Sequence, residues 1–317
     1  MRLDQIITGA EGFVGTHLCR RLGAAPAMPH VGTLDVQPIS PRPFVGTRID
    51  IRSSSALRRL AGEWSSPTLV HLAAMAEVMM PFGRMSDLTA TNIQGTVNVL
   101  EAFGPRRVVF ASSSAVYGTV HGRSARPVAE ETGAIGAYGI SKRMGEAICT
   151  AWAEEGGGAA VALRFGNIVG PGCRGLIPYL VHHAVTHRGG TRPAQLRGRG
   201  ALVRDYLPVE CAVEAIVKAA ELPVAEGQTV VFNVGSGRGL TNGEVAGEVA
   251  AVLAREGYPL RLDFDNPVPA GESEAVVLDV SATSETLGVG PPTRGDVDRS
   301  IEEATLAHLA AVLGRSG

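Results

Sequence analysis

Short, largely apolar runs recur along this chain, separated by longer stretches whose apolar positions are spaced for one face of a helix. The runs are Leu3 with Ile6-Ile7, Val31 to Asp35, Thr47 to Ile51, Thr68 to Ala74, Arg107 to Ala111, Val161 to Phe165 and Val230 to Val234. Such runs predict strands covered on both faces. Helices are predicted at Val14 to Leu22, Ser54 to Leu60, from Asp87 through Asn92, Val97 and Leu100 to Phe103, from Tyr138 to about Glu155, and at Val209 to Leu222. The alternation is βαβ repetition, which predicts an α/β fold with a parallel sheet and right-handed crossovers. Ligands of such sheets bind at the carboxyl ends of the strands, and the polar residues gather there.

The third strand is expected to end at Asp50, and Gly166 to Gly172 is expected to be a loop leaving the sheet. Residues 1–166 plus about 205–235 would form the main domain. The segments about 167–204 and 236–317, richer in Pro and Arg, would build a smaller lobe.

The chain has 317 residues and a formal net charge of −2, so no basic surface advertises nucleic acid or an acidic membrane. Hydrophobic residues make up 45%, yet no uninterrupted apolar run is long enough to span a bilayer, and the first apolar run belongs to the first strand rather than to a signal peptide. A cytoplasmic protein is expected. Cys19, Cys149, Cys173 and Cys211 are far apart and form no C-x-x-C pair, which indicates neither a disulfide framework nor a metal site.

The candidate chemistry begins at Thr8-Gly9-Ala10-Glu11-Gly12-Phe13-Val14-Gly15. Gly9 allows a tight turn, Gly12 lets backbone approach a ligand, and Gly15 lets the following helix pack on its strand. The helix would then aim its unpaired N–H groups and positive dipole end at a pyrophosphate. Asp35 stands 20 residues beyond Gly15, where a carboxylate accepts the hydroxyls of an adenosine ribose and repels a 2′-phosphate. That favours NAD over NADP; a solvated loop aspartate is the plainer alternative. Arg42, between Pro41 and Pro43, is the one nearby residue suited to a 2′-phosphate, and carries little weight.

Further on, Tyr138 and Lys142 stand four apart at the start of a helix and project from one face. An ammonium beside a phenol favours the phenolate, as does a nicotinamide cation. Bringing a tyrosine from about 10 toward neutrality takes roughly two to three pKa units, or about 3–4 kcal/mol. A phenol so tuned is a general base for an alcohol.

With these motifs the chain resembles the extended short-chain dehydrogenase/reductase family, in its NAD-dependent epimerase/dehydratase branch. The resemblance is carried by the glycine motif, Asp35, His71-Leu72-Ala73-Ala74, Asn92-x-x-Gly95-Thr96, Ser112-Ser113-x-x-Val116-Tyr117-Gly118 and Tyr138-x-x-x-Lys142. It continues through Arg164-Phe165-Gly166-Asn167-x-x-Gly170-Pro171-Gly172, Arg204-Asp205-Tyr206-x-x-Val209 and Phe232-Asn233-Val234-Gly235. It implies a doubly wound Rossmann sheet holding NAD, a C-terminal lobe holding a nucleotide-diphosphate sugar, and Ser113, Tyr138 and Lys142 as the catalytic group. The cofactor residues it implies are Gly9, Gly12, Phe13, Val14, Gly15, Asp35, Asp50, Ile51, Leu72, Ala73, Ala74, Asn92, Ala111, Tyr138, Lys142 and Phe165. Those implied for substrate are Ser113, Ser114, Asn167, Leu176, Gln195, Arg197 and Arg204. No metal is implied.

Three departures from the family pattern bear on function. Ser114 and Ala115 stand where dehydratases carry an acid–base Asp-Glu pair, which argues against elimination of water. The arginine of the family's late phosphate clamp is replaced by Pro269, ahead of Ala270-Gly271-Glu272; Arg294-Gly295-Asp296 falls too late to take over the role. Near Glu77 to Met85, Pro81 and Met85 replace a usual Ser and Pro, with Met79 and Met80 between Glu77 and Pro81. The resulting expectation is a sugar-nucleotide epimerase acting at C4 through a 4-keto intermediate. A dehydrogenase or reductase on the same scaffold is the alternative, and a non-catalytic NAD-binding protein ranks below both. Apolar residues beyond one face of the helices at Asp87 to Gly104 and Tyr138 to Glu155, Trp152 among them, suggest with the resemblance a homodimer built through a four-helix bundle.

Overall fold

Every residue of Ala159–Phe165 is buried, a pattern that a strand shows only when helices cover both faces of its sheet. The structure, a computed structural model, describes residues 1–76, 82–118, 124–125, 133–134, 136–187, 192–268 and 273–314. Strand β1 (Gln5–Thr8) leads to α1 (Phe13–Gly23), β2 (Val31–Asp35), β3 (Val45–Arg48), α2 (Ser54–Ala61) and β4 (Thr68–His71). Helix α3 (Met85–Leu88) runs through a π-helical stretch, Thr89–Gln94, into α4 (Gly95–Phe103). Then come β5 (Arg107–Ser113), a 3-10 turn at Ser114–Tyr117, β6 (Ser124–Ala125), α5 (Gly136–Trp152), β7 (Ala159–Phe165) and β8 (Asn167–Val169). The rest is α6 (Leu176–Thr186), β9 (Ala194–Gln195), β10 (Val203–Pro208), α7 (Val209–Glu221), β11 (Thr229–Val234), β12 (Gly239–Thr241), α8 (Asn242–Arg255), β13 (Leu262–Asp263), β14 (Ala275–Leu278) and α9 (Arg294–Val312).

Among the described residues seven parallel strands form one sheet in the order β11-β7-β5-β4-β1-β2-β3. Ile6 pairs with Gly32 on one side and Leu69 on the other, so β1 and β4 straddle the point where the winding reverses. Alternate residues feed opposite faces. Ile7 and Val109 join Leu18, Val213 and Ile216 under α1 and α7, whereas Ile6 and Val108 join Leu57, Val99 and Cys149 under α2, α4 and α5. A second sheet, β12-β10-β14-β6 with β8 on β10, lies by a third apolar cluster built from α6, α8 and α9.

Two local expectations change. Strand β3 stops at Arg48, because the Asp50 carboxylate accepts the Arg52 N–H (2.9 Å) and its guanidinium (2.6 Å), turning the chain into α2. Asn167–Val169, expected as loop, is a strand that pairs with Tyr206–Pro208, a partner too distant in sequence to leave a local signal. All four cysteines are free, and Cys19, Cys149 and Cys173 are buried.

One buried ion pair ties the layers together. Arg164 on β7 donates to both oxygens of Glu146 on α5, each at 2.8 Å, and both side chains are at most 5% exposed. Ser112 adds a 2.5 Å bond to Glu146, and Arg164 reaches Tyr117 Oη at 2.9 Å. Removing one partner strands a charge in a dry interior, so Arg164→Met should destabilise the fold by roughly 3–5 kcal/mol in urea unfolding. Arg164→Met with Glu146→Leu should cost less than that single change. A single-variant loss under about 1 kcal/mol would mean the pair is solvated.

Candidate active site

At the carboxyl end of β1 the glycines divide their work. A Cβ on Gly9 (φ +73°) would lie 2.6 Å from Ala73 N, and one on Gly15 would lie 2.1 Å from Gly9 O, so both are needed for internal packing. A Cβ on Gly12 would meet only Gly9 O, at 3.1 Å, which leaves its outer side open. Gly12 is also the N-cap of α1, and no side chain caps that helix end. Its first N–H groups therefore face the crevice, a cradle suited to a diphosphate. Phe13 stands edge-on to His17 and, with Val14, packs half-buried on the core.

Around this cradle the other candidates take distinct places. Asp35, at the tip of β2, accepts the N–H of Glu11 at 2.8 Å and of Gln37 at 2.9 Å. Arg42 is ion-paired to Glu11. Ile51 is buried against the site of Gly95, and its carbonyl is taken by Asn98, so its side chain belongs to the core. The Asp50 carboxyl is held below its ordinary value by Arg52. Phe165 ends β7 inside the core.

A directed hydrogen-bond chain links the cradle to α5. Thr96 Oγ1 donates to Asn92 O (2.7 Å), so it accepts from His71 Nε2–H (3.0 Å), which leaves Nδ1 to accept from Thr8 Oγ1 (2.7 Å). Thr8 in turn accepts the Ala73 N–H, fixing the run Leu72-Ala73-Ala74 at the end of β4. Burial, with Lys142 nearby, pushes His71 down to about 3, so it stays neutral. Asn92 accepts the Met75 N–H and donates to Ser141 Oγ, which donates to Tyr138 O.

Ser113, Tyr138 and Lys142 converge beyond β5. Ser113 is the last residue of β5; its hydroxyl accepts the Ala115 N–H at 3.2 Å and lies close enough to the Tyr138 phenol to favour its charged form. Lys142 is buried, donates to Ala111 O at 2.7 Å, and lies 5.9 Å from the centre of the Tyr138 ring. The expected lowering of the phenol rests on Lys142 together with a nicotinamide cation; in the chain alone the direction is upward. Burial pushes Tyr138 up and the Ser113 hydroxyl opposes this, while Lys142 spends one of its three donors on Ala111 O. Burial also pulls Lys142 down to about 8.

The candidates for substrate spread over the second sheet's side. Asn167 is exposed on β8, Leu176 opens α6, and Arg204 on β10 donates to Val203 O at 2.8 Å. The main chain of Gln195 is held by the Tyr179 hydroxyl, and Arg197 is exposed in the turn after β9. Ser114 begins the 3-10 turn after Ser113. Met79, Met80, Pro81 and the stretch 269–272, where the clamp arginine is replaced, lie outside the described residues. Asp296 of the late Arg-Gly-Asp lookalike closes a capping box with Thr293 at the start of α9, and Arg294 pairs with Glu248 and Asp298. Glu11 and Glu146 were not foreseen. Glu146, four residues beyond Lys142 on the same helix face, carried a readable signal; Glu11 carried none.

A doubly wound sheet, an open glycine turn at its switch point and a Ser-Tyr-Lys group beyond β5 define a short-chain dehydrogenase/reductase type of enzyme. Residues 5–235 match the NAD dependent epimerase/dehydratase family, and the chain belongs to it. Its cofactor is NAD. The UDP-glucose 4-epimerase of Lacticaseibacillus casei is 29% identical over 328 residues, covering 95% of this chain and 96% of its own length. A dTDP-4-dehydro-6-deoxy-D-allose reductase from a Streptomyces species is 27% identical over 319 residues, covering 93% and 94%. The Thermus thermophilus UDP-glucose 4-epimerase, solved with NAD, superposes with a TM-score of 0.81 at 26% identity, covering 98% of this chain and all of that one. No helix of the described residues is long and apolar enough to cross a membrane.

The Lys142 shift has a measurable sign. Between pH 8 and 10.5 the unfolded chain binds a proton that the folded chain has released, so stability contributed by this group rises with pH. The burial penalty is fully present below pH 8 and lifts toward pH 10.5. Wild-type protein should therefore gain on the order of 3 kcal/mol relative to Lys142→Met across that window, read by urea unfolding at each pH. A constant difference between the two would contradict the burial of an ammonium.

Proposed function

We propose that the chain is an NAD-dependent epimerase of a nucleotide-diphosphate sugar, inverting C4 through a transient 4-keto sugar. The observation that carries this reading is the convergence of Ser113, Tyr138 and Lys142 at the carboxyl end of β5, beside the open glycine cradle. NAD, when bound, supplies the hydride acceptor and donor and, in its oxidised form, a positive charge. Gly12 and the first N–H groups of α1, on a turn that Gly9 and Gly15 let close, would hold its diphosphate, and Asp35 would take the adenosine ribose. Tyr138 Oη removes the proton of the sugar's C4 hydroxyl and later returns one, Ser113 Oγ holds the same oxygen, and Lys142 contributes positive charge. Ser114 and Ala115 offer no acid–base pair, so the keto sugar is not dehydrated.

Residues 1–166 with about 205–235 form the cofactor domain in this reading, and the remainder forms the sugar-nucleotide lobe. Asn167, Leu176, Gln195, Arg197 and Arg204 are its binding residues. The test is NMR of purified protein with UDP-, GDP-, CDP- and dTDP-sugars, with and without added NAD or NADH. Appearance of a C4 epimer without net NADH change is expected, and Tyr138→Phe should lower the rate at least about 100-fold. Stoichiometric gain or loss of NADH would make the chain a dehydrogenase or reductase instead.

The assembly proposed is a homodimer through α4 and α5. Ile140 and Met144, four apart on α5, are 47% and 43% exposed, whereas Trp152 packs on its own core. Sedimentation should give about twice 33.0 kDa, and Ile140→Glu with Met144→Glu should give the monomer mass. A monomeric wild type would remove the four-helix bundle.

A further inference from the structure

The glycine turn holds an acidic side chain whose partner is a cation at the adenosine corner. Glu11 lies between Ala10 and Gly12, and its own N–H donates to Asp35 Oδ2 at 2.8 Å, which places it against the carboxylate at the tip of β2. Its side chain accepts the Ser40 N–H at 3.1 Å and the Ser40 hydroxyl at 2.6 Å, and is ion-paired to Arg42. Arg42 is further tethered to Ala10 O at 3.3 Å and Ser40 O at 3.4 Å. The two charged side chains are only 9% and 10% exposed, so water screens the pair little. A second guanidinium, Arg48, is held outside on Val36 O at 2.9 Å.

We infer that Glu11 is a cofactor-specificity residue: it sequesters Arg42, the guanidinium at the adenosine corner, so that this cation is not offered to a 2′-phosphate. The inference rests on the adenosine ribose lying at Asp35. A 2′-phosphate at this corner meets the Asp35 carboxylate, while Arg42, the inner cation, is already neutralised by Glu11. Asp35 alone repels the phosphate, but removing Asp35 still leaves Arg42 committed to Glu11. Glu11 supplies this second half of the discrimination. Its carboxylate is fixed by Ser40, so the pair with Arg42 keeps one geometry.

The test is titration of purified protein with NADH and with NADPH, followed by nicotinamide fluorescence, which reads binding without turnover. Wild type should bind NADH and prefer it; absence of NADH binding would fail the cofactor site itself and not this inference alone. Asp35→Ser should weaken the preference modestly. Adding Glu11→Gln, an isosteric change, should tighten NADPH a further tenfold or so as Arg42 is released. Arg42→Met should then remove most of that gain. Circular dichroism and melting of each variant confirm the fold. An unchanged NADPH affinity on adding Glu11→Gln, or a gain that survives Arg42→Met, overturns the inference.

Discussion

The pair between Glu146 and Arg164 sets the register on which the reactive group depends. Tyr138, Lys142 and Glu146 follow one another at four-residue steps along α5 and so share a face of that helix. With Glu146 fixed to Arg164 on β7 and to Ser112 on β5, the helix cannot slide along the sheet without breaking three charge-assisted bonds. That holds Tyr138 against Ser113, one residue beyond Ser112. A buried pair of this kind adds more to the choice of one arrangement than to net stability. Its reach extends further, because Arg164 holds Tyr117, Tyr117 donates to Asn233 on β11, and Asn233 donates to Asp279 O just past β14. The active group and the second sheet's side thus share one buried polar network.

Asp205 performs the corresponding service for the second sheet. Buried on β10, it accepts the N–H and hydroxyl of Ser236, the N–H of Gly237 and that of Leu278, at 2.6 to 3.2 Å. Desolvation pushes its carboxyl up, while the four donors pull it down. Its neighbour Arg204 reads in sequence as the ligand of the Arg-Asp-Tyr triplet; the aspartate beside it is the structural member, joining the turn after β11 to β14.

Much of this was legible beforehand because it is local. Short, largely apolar runs located the sheet, the spacing of Gly9, Gly12 and Gly15 located the turn after β1, and the four-residue step put Tyr138 and Lys142 on one face of α5. What escaped depends on contacts between segments far apart in the chain. Strand β8 exists only because β10 lies beside it, and the Ile51 side chain is buried only because Gly95, far along the chain, lies against it. Glu11 meets Arg42 only because a proline-rich stretch folds back over the glycine turn, which no periodicity encodes.

The least legible quantity was the direction of the Tyr138 shift, since spacing shows proximity but not dryness. The same desolvation acts with opposite sign on the two groups: it raises the phenol and brings the ammonium down to about 8. Near neutral pH the phenol therefore keeps its proton, while Lys142, at about 8, remains mostly an ammonium. The Ser113 hydroxyl offsets part of the phenol's rise, and Lys142 spends one of its donors on Ala111 O. A phenolate at Tyr138 therefore needs further positive charge in the same dry space, where each charge acts through a low dielectric. In the proposed reaction an oxidised nicotinamide would supply that charge and its reduced form would not, which would couple removal of a hydroxyl proton to the cofactor's oxidation state.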